Sequence, residues 1–210
     1  MAEEDTSEDR RIELVAAIIL GVAGILTAFA AYNAALTDGD ALKGYTASAR
    51  TTADANGYFN EAFATYTSDQ SLFLEYQVLV EQGDTATALV IRDRLFSPEL
   101  EAATAAWIEI PVGSPDEPPT PLQTAEYVIP AQDEAIALTE QAADEFSEAQ
   151  SFDDAGDKFE LAAVFLAVSL FLAGIGSLFR ARSLQIAILA MAVVVMVPGV
   201  IAIIQGKSAL

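Results

Sequence analysis

Cysteine and histidine are both missing from this chain. Without cysteine, disulfides, haem attachment and thiol chemistry are excluded, and redox usage says nothing of compartment. Without histidine, the commonest transition-metal ligand and the usual general base near neutral pH are gone. The chemistry left belongs to carboxylates, hydroxyls and a few arginines. No glycine-bracketed serine and no phosphate-cradling glycine loop offers an activated nucleophile. We therefore expect a protein that is not an enzyme, with no catalytic residues and no cofactor.

Positive charge is scarce as well. The 210 residues carry 31 Asp and Glu against 10 Lys and Arg, a net charge of −21, and the only lysines are Lys43, Lys158 and Lys207. Nucleic acid and anionic membrane surfaces are polyanions, so the net charge argues against electrostatic binding of the chain as a whole to either. An acid-rich, lysine-poor surface is the composition of proteins bathed in high salt, where carboxylates hold water and repulsion is screened. An acidic surface that recruits a cationic partner is the alternative.

What is abundant is apolar sequence in long runs. Ile12 to Leu36, Leu161 to Phe179 and Leu184 to Ile204 are each long enough, at about 1.5 Å per helical residue, to cross a hydrocarbon layer roughly 30 Å thick. The last two are separated by only four residues and read as a transmembrane hairpin. The fold class is therefore all-α, an integral membrane protein with three spans and a small helical domain. Its boundaries are an acidic N-terminal arm (1–11), span one (12–36), an acidic helical domain (37–158) with a Pro-rich loop (109–130), span two (159–179), a turn (180–183), span three (184–205) and a tail (206–210). The arm leads straight into about 25 mostly apolar residues, which argues for a retained span over a cleaved signal.

Within span one, Ala17, Gly21, Gly24, Ala28, Ala31 and Ala35 are spaced by four and three residues and share one helical stripe. In lipid, where hydrophobic drive between helices is weak, such a stripe permits close backbone approach. Either the hairpin or a second copy of the chain is its expected partner. The polarity of Thr37, Asp38, Gly39 and Asp40 marks the exit from the membrane. Leu42, Tyr45, Ala49, Ala53, Phe59, Phe63 and Tyr66 predict a helix from Ala41 to about Thr67, with Thr67, Ser68 and Asp69 as a break and cap. An amphipathic helix from Ser71 to Gln82 follows, stopped by Gly83. Asp84 caps a helix to about Phe96. Ser97 as N-cap and Pro98 as first helical residue open another through Trp107.

Between Ile108 and Pro130, six prolines forbid a continuous helix, and the stretch reads as an extended connector. A proline-lined recognition segment at Pro118 to Pro121 is the other reading. Helix returns at Ala131. Ala135, Leu138, Ala142, Phe146, Ala149, Phe152, Gly156 and Phe159 recur with the near 3.5-residue period of coiled-coil packing, and nothing breaks the helix before span two. Gly156 is the one expected kink. Leu138, Ala142, Phe146 and Phe152 are thus packing candidates for helix or oligomer contacts.

Two polar clusters remain. Arg92 and Arg94 with Glu99 form an anion site or, more in keeping with scarce arginines, an ion-pair network at a helix junction. Asp38, Asp40, Asp153, Asp154 and Asp157 would suit a hard cation but lack the spacing of a calcium loop, and solvated acids are the default.

Arg10 and Arg11 precede span one, and Arg180 and Arg182 sit in the hairpin turn. With three spans these positions share a side, which predicts a cytoplasmic N-terminus and an extracytoplasmic central domain in a multi-pass cell-membrane protein. From Thr37 to Lys158 the chain carries 24 acidic and 5 basic residues, a net of −19.

The order of features resembles an uncharacterised family of three-span membrane proteins of bacteria and archaea, in a salt-adapted, haloarchaeal-like member. The likeness rests on Ala31-Tyr32, Leu72-Phe73, Gly83-Asp84, the segment Arg92 to Glu99, Trp107, the segment Asp116 to Pro121, Glu126-Tyr127, and Phe165-Leu166-Ala167 through Gly174 to the Phe179–Ser183 turn. It covers most of the chain from span one onward and departs in the acidic arm, in surface charge and in the modest basicity of the turn. The resemblance implies the three-span architecture and no biochemical activity. Two functions fit these features. The first is a non-enzymatic structural or interaction protein, self-assembling or held in a larger membrane complex and surrounded by membrane lipids. The second is a pore-forming or accessory subunit of an ion channel or transporter, with Thr27, Asn33 or Ser169 lining a central opening.

Overall fold

In a computed structural model the chain is all-α. The structure describes the backbone of residues 2–111, 113–114, 118–179 and 181–210, with side chains from Arg10 onward. Arg180, Asp116 and Glu117 lie outside the described residues. Five helices follow in order: α1 (Ala2–Gln82), α2 (Thr85–Leu95), α3 (Pro98–Ile108), α4 (Pro130–Gly176) and α5 (Arg182–Ser208), with a 3-10 turn at Pro121–Gln123. α1, α4 and α5 are each long and apolar enough to cross a membrane, and no more than a third of the apolar window of each is buried inside the chain. Leu14, Ile18, Val22, Ile25, Phe171 and Val194 instead point outward. So much outward apolar surface is stable in hydrocarbon, not in water, which makes this a multi-span membrane protein.

Contacts divide the chain into two compact units, one made of Met1–Ser48 with Asp144–Leu210 and the other of Ala49–Ala143. α1 and α4 contribute residues to both.

In the first unit α1 runs antiparallel to α4, and α4 antiparallel to α5. A Cβ built on Gly44 would stand 2.8 Å from Ala149 Cβ, one on Gly24 3.9 Å from Leu170, and one on Gly174 3.9 Å from Leu20. On the α5 side the same test places Gly206 against the Phe159 ring at 3.1 Å, Gly199 against Leu166 Cγ at 2.9 Å and Gly176 against Ile188 at 3.3 Å. Gly44 and Gly199 leave no room for a side chain, Gly176 and Gly206 leave little, and Gly24 and Gly174 sit at ordinary contact distance. The core they enclose has two parts. Ala30, Ala34, Phe159, Ala162, Leu166, Ala202 and Ile203 form one cluster, and Ala16, Ala173, Leu189 and Ala192 form another.

α1 does not break where the polarity changes. Thr37 is buried and turns its hydroxyl back onto the Ala34 and Asn33 carbonyls at 2.9 and 3.0 Å, so the helix supplies its own polar partner. Gly156 serves a close contact within continuous α4: a Cβ there would collide with Asp38 Oδ1.

In the second unit α1 passes through Thr67, Ser68 and Asp69 without a cap, contrary to the expected break. It ends at Gly83, whose φ of 81° is the left-handed conformation that favours glycine. The Gly83 N–H donates to Val80 O at 3.1 Å and the Asp84 N–H to Leu79 O at 3.0 Å, a Schellman closure. Asp84 then caps α2 by accepting from Thr87 N at 3.2 Å, and Ser97 caps α3 by accepting from Leu100 N at 3.0 Å. The Pro-rich stretch is laid over α3: Trp107 Nε1 donates to Pro118 O at 2.8 Å, and Pro121 is buried where the 3-10 turn meets α3. Phe73 joins this core through Trp107, edge-on at 5.8 Å, and through Tyr76 at 6.3 Å.

Candidate functional site

The inward face of α1 in the second unit is made of small residues, Ala55 and Ala62, until it reaches Asp69, which is only 2% exposed. A buried carboxylate requires donors. Asp69 Oδ2 accepts from Ser97 Oγ at 2.6 Å and from Tyr127 OH at 2.9 Å. Since Ser97 also caps α3, one oxygen ties α1, the start of α3 and the segment leading into α4. Burial, and next the Asp69 carboxylate that accepts its proton, raise the Tyr127 hydroxyl well above its ordinary 10.0, so it stays a donor at any physiological pH. Tyr66 meets the Tyr127 ring edge-on at 6.3 Å.

Beside this clamp lies a recess of about 380 Å³ lined by Phe59, Phe63, Tyr66, Leu122, Tyr127 and Gln132. Its walls are aromatic and open. A second recess, about 620 Å³, carries Asp54, Glu61 and Glu134. Among the described residues no three acids stand close enough to hold a metal ion between them. Thr104 Oγ1, on the buried face of α3, has no hydrogen-bond partner among the described residues.

In the arginine cluster the described contact lies within α2. Arg92 Nε donates to Asp93 Oδ1 at 2.9 Å, and that bond raises the guanidinium above its usual value. Arg94 is exposed and Glu99 half-buried. The start of α3 is tied to α1 and to the segment leading into α4 by Asp69, Ser97 and Tyr127.

The acids near the spans are engaged singly. Asp40 pairs with Lys43 at 2.7 Å, Asp38 packs over Gly156, and Asp153 accepts from Tyr45 OH at 3.3 Å. Desolvation, with Asp153 and Asp154 adding to it, raises the Tyr45 hydroxyl above 10.0. Asp154 and Asp157 are exposed.

The packing candidates divide. On α4, Ala142 is buried, Leu138 and Phe152 are half-buried, and Phe146 is exposed but meets Tyr45 with ring centroids 5.3 Å apart. On α1, Ala17, Gly21, Ala28, Ala31 and Ala35 are exposed and Gly24 is half-buried. The face α1 turns inward is the neighbouring one, with Ala16, Ala23, Ala30 and Ala34. Likewise Leu42, Phe59, Phe63 and Tyr66, expected on the apolar face of the next stretch, are exposed, and Ala41, Ser48, Ala55 and Ala62 are buried.

Polar side chains within the membrane unit are bonded to backbone. Thr27 Oγ1 donates to Ala23 O at 2.7 Å, Asn33 Nδ2 to Phe29 O at 2.8 Å, and Ser169 Oγ to Ala192 O at 2.8 Å. Ser169 is fully buried, and its bond ties α4 to α5. Lys207 lies over the Phe29 ring, 5.4 Å from its centroid.

These features define a multi-span helical membrane protein whose polar centre outside the spans is a buried carboxylate clamp. No family model, no curated protein and no solved structure matches the chain. What stands is the architecture, a helical segment between the first two membrane-length helices.

Proposed function

We propose that this chain is a non-enzymatic structural or interaction protein of the membrane that assembles with copies of itself and presents an acidic helical unit outside the cell. The observation that carries the reading is the unused small-residue stripe of α1. Ala17, Gly21, Ala28, Ala31 and Ala35 are exposed while the adjoining face packs inside the chain. A stripe of this kind lets a second helix approach closely, where dispersion and backbone contacts do what the hydrophobic effect does in water. The polar side chains within the spans are spent on backbone carbonyls, which favours this reading over a pore lined by Thr27, Asn33 or Ser169. Arg10, Arg11 and Arg182 support a cytoplasmic N-terminus, and we take the acidic composition as adaptation to salt.

The test is the mass of the full chain extracted in mild detergent at high salt, with every co-purifying protein identified. A closed homo-oligomer that Gly21→Leu with Ala28→Leu reduces to single chains is expected. A single chain at every concentration, or a stoichiometric larger partner, would overturn self-assembly. Orientation is checked in intact cells with a membrane-impermeant maleimide, which should label Ser68→Cys but not Ser183→Cys. The native chain has no cysteine to confuse the readout.

A further inference from the structure

Where α1 and α5 run side by side at the Arg11 end of the first unit, they leave an open recess of about 310 Å³. Arg11 stands at one end, Ile12 and Ile19 form one wall, Ile186 and Val193 the other, and Ala190 the recessed middle. Ala190 is the cause of the hollow: its single methyl sits between two branched side chains one turn to either side. Apart from Arg11 every lining side chain is aliphatic.

Ile12 to Ile19 covers two helical turns, about 10 Å along the axis. The recess thus touches the apolar stem of Arg11 at the head of a membrane-length apolar run, leaves the guanidinium beyond its mouth, and continues into that run as hydrocarbon surface. Arg11 is exposed. Arg10 precedes it and Arg182 opens α5 one turn before Ile186, while Glu8 and Asp9 precede the two arginines in the sequence, so the cationic partner offered to the recess is Arg11 itself and not a basic patch. Glu13 lies about 200° around the helix from Arg11, on another face.

A free phosphate would use the guanidinium and leave the hydrocarbon walls bare. A second helix, with its diameter of about 10 Å or more, is too thick for a hollow this size. A molecule with an anion at one end and a thin apolar chain at the other matches both parts. We propose that the recess holds one acyl chain of an anionic glycerophospholipid whose phosphate pairs with the Arg11 guanidinium, a fork that matches phosphate oxygens two at a time.

The experiment is native mass spectrometry of the full chain in mild detergent, offered phosphatidylglycerol and phosphatidylcholine with identical acyl chains in equal amounts. One phosphatidylglycerol should stay bound per chain, preferred by about tenfold, equivalent to 1.4 kcal/mol. Arg11→Gln should abolish the preference and leave the weak phosphatidylcholine level. Ala190→Phe, which fills the hollow, should remove both lipids. Ala190→Leu is the milder form should the larger ring disturb folding, and it should weaken both at least severalfold. Arg10→Gln should keep most of the preference. Equal retention of the two lipids by the native chain, unchanged retention in both Ala190 variants, release of phosphatidylglycerol by excess inorganic phosphate, or recovery as a lipid-free dimer would each overturn the proposal.

Discussion

Replacing Tyr127 by phenylalanine removes one hydroxyl and leaves the ring in place against Tyr66. The lost bond is 2.9 Å long and ends on a carboxylate that is 2% exposed, so Asp69 is left with Ser97 as its remaining hydroxyl donor. Hydrogen bonds to charged groups contribute about 1.5–3 kcal/mol, and we expect a loss of about 2 kcal/mol at pH 7. The pH dependence separates this from mere repacking. The native-state hydroxyl titrates above its ordinary 10.0, so above pH 10 the unfolded chain gives up the proton first. Folding then loses about 1.4 kcal/mol per pH unit until the native hydroxyl ionises as well. Tyr127 is only half-buried, so solvent screening narrows that window, and about one unit of it is a realistic expectation. The stabilisation is complete below pH 10 and declines above it. Phenylalanine has no proton to lose, so the gap between native chain and variant should shrink from about 2 to about 1 kcal/mol between pH 9 and pH 11. The assay is urea unfolding of the full chain in mild detergent, followed by fluorescence of Trp107, the one tryptophan, which sits in the same unit against Phe73 and Pro118. A difference below about 0.5 kcal/mol at pH 7, or one that stays flat to pH 11, would refute the reasoning.

Three further substitutions test the packing. Thr104→Val replaces a buried hydroxyl that lacks a partner among the described residues, keeps the shape, and should leave the urea midpoint unchanged or raise stability by up to about 1 kcal/mol; a clear loss would mean that the hydroxyl is bonded after all. Gly199→Val forces a Cβ to within 2.9 Å of Leu166 Cγ and 3.2 Å of Ala162 O and should cost about 1–3 kcal/mol, read as a lower melting temperature by circular dichroism in detergent. Gly39→Ala, where a Cβ meets nothing within 4 Å, should instead be neutral or slightly stabilising, and a loss as large as that at Gly199 would sink the packing argument.

Local signals in the sequence carried much of this fold. Ser97-Pro98 and Gly83-Asp84 mark helix ends by chemistry that does not depend on distant partners, and both act as expected. The long α4 was legible because no breaker stands between Ala131 and Gly174. α1 was harder. Thr37 to Asp40 and Thr67 to Asp69 are polar, and polarity marks where a membrane ends or where a cap would suit, not where a helix must stop. Asp69 was missed for that reason. Its signal was present in the seven-residue spacing of Ser48, Ala55, Ala62 and Asp69, which places an acid on an inward stripe. Which alanine stripe of the first span faces the hairpin was not readable at all. Small residues occupy adjacent faces, and periodicity cannot choose between Ala16, Ala23, Ala30 and their neighbours Ala17, Gly24, Ala31 without a partner helix to compare.

The alanine and glycine contacts of the membrane unit also decide how this protein can be interrogated. Alanine scanning reads an interface by cutting side chains away, and at Ala30, Ala34, Ala149, Ala162, Ala192, Ala202 and Gly206 there is nothing left to cut. Such a scan would register Phe159, Leu166 and Leu189 and pass over the small-residue seams between them. The informative library here is one of enlargement. Tolerance to an added methyl, position by position, would trace the helix seams from the inside, and intolerance at the outward stripe would trace any seam between copies.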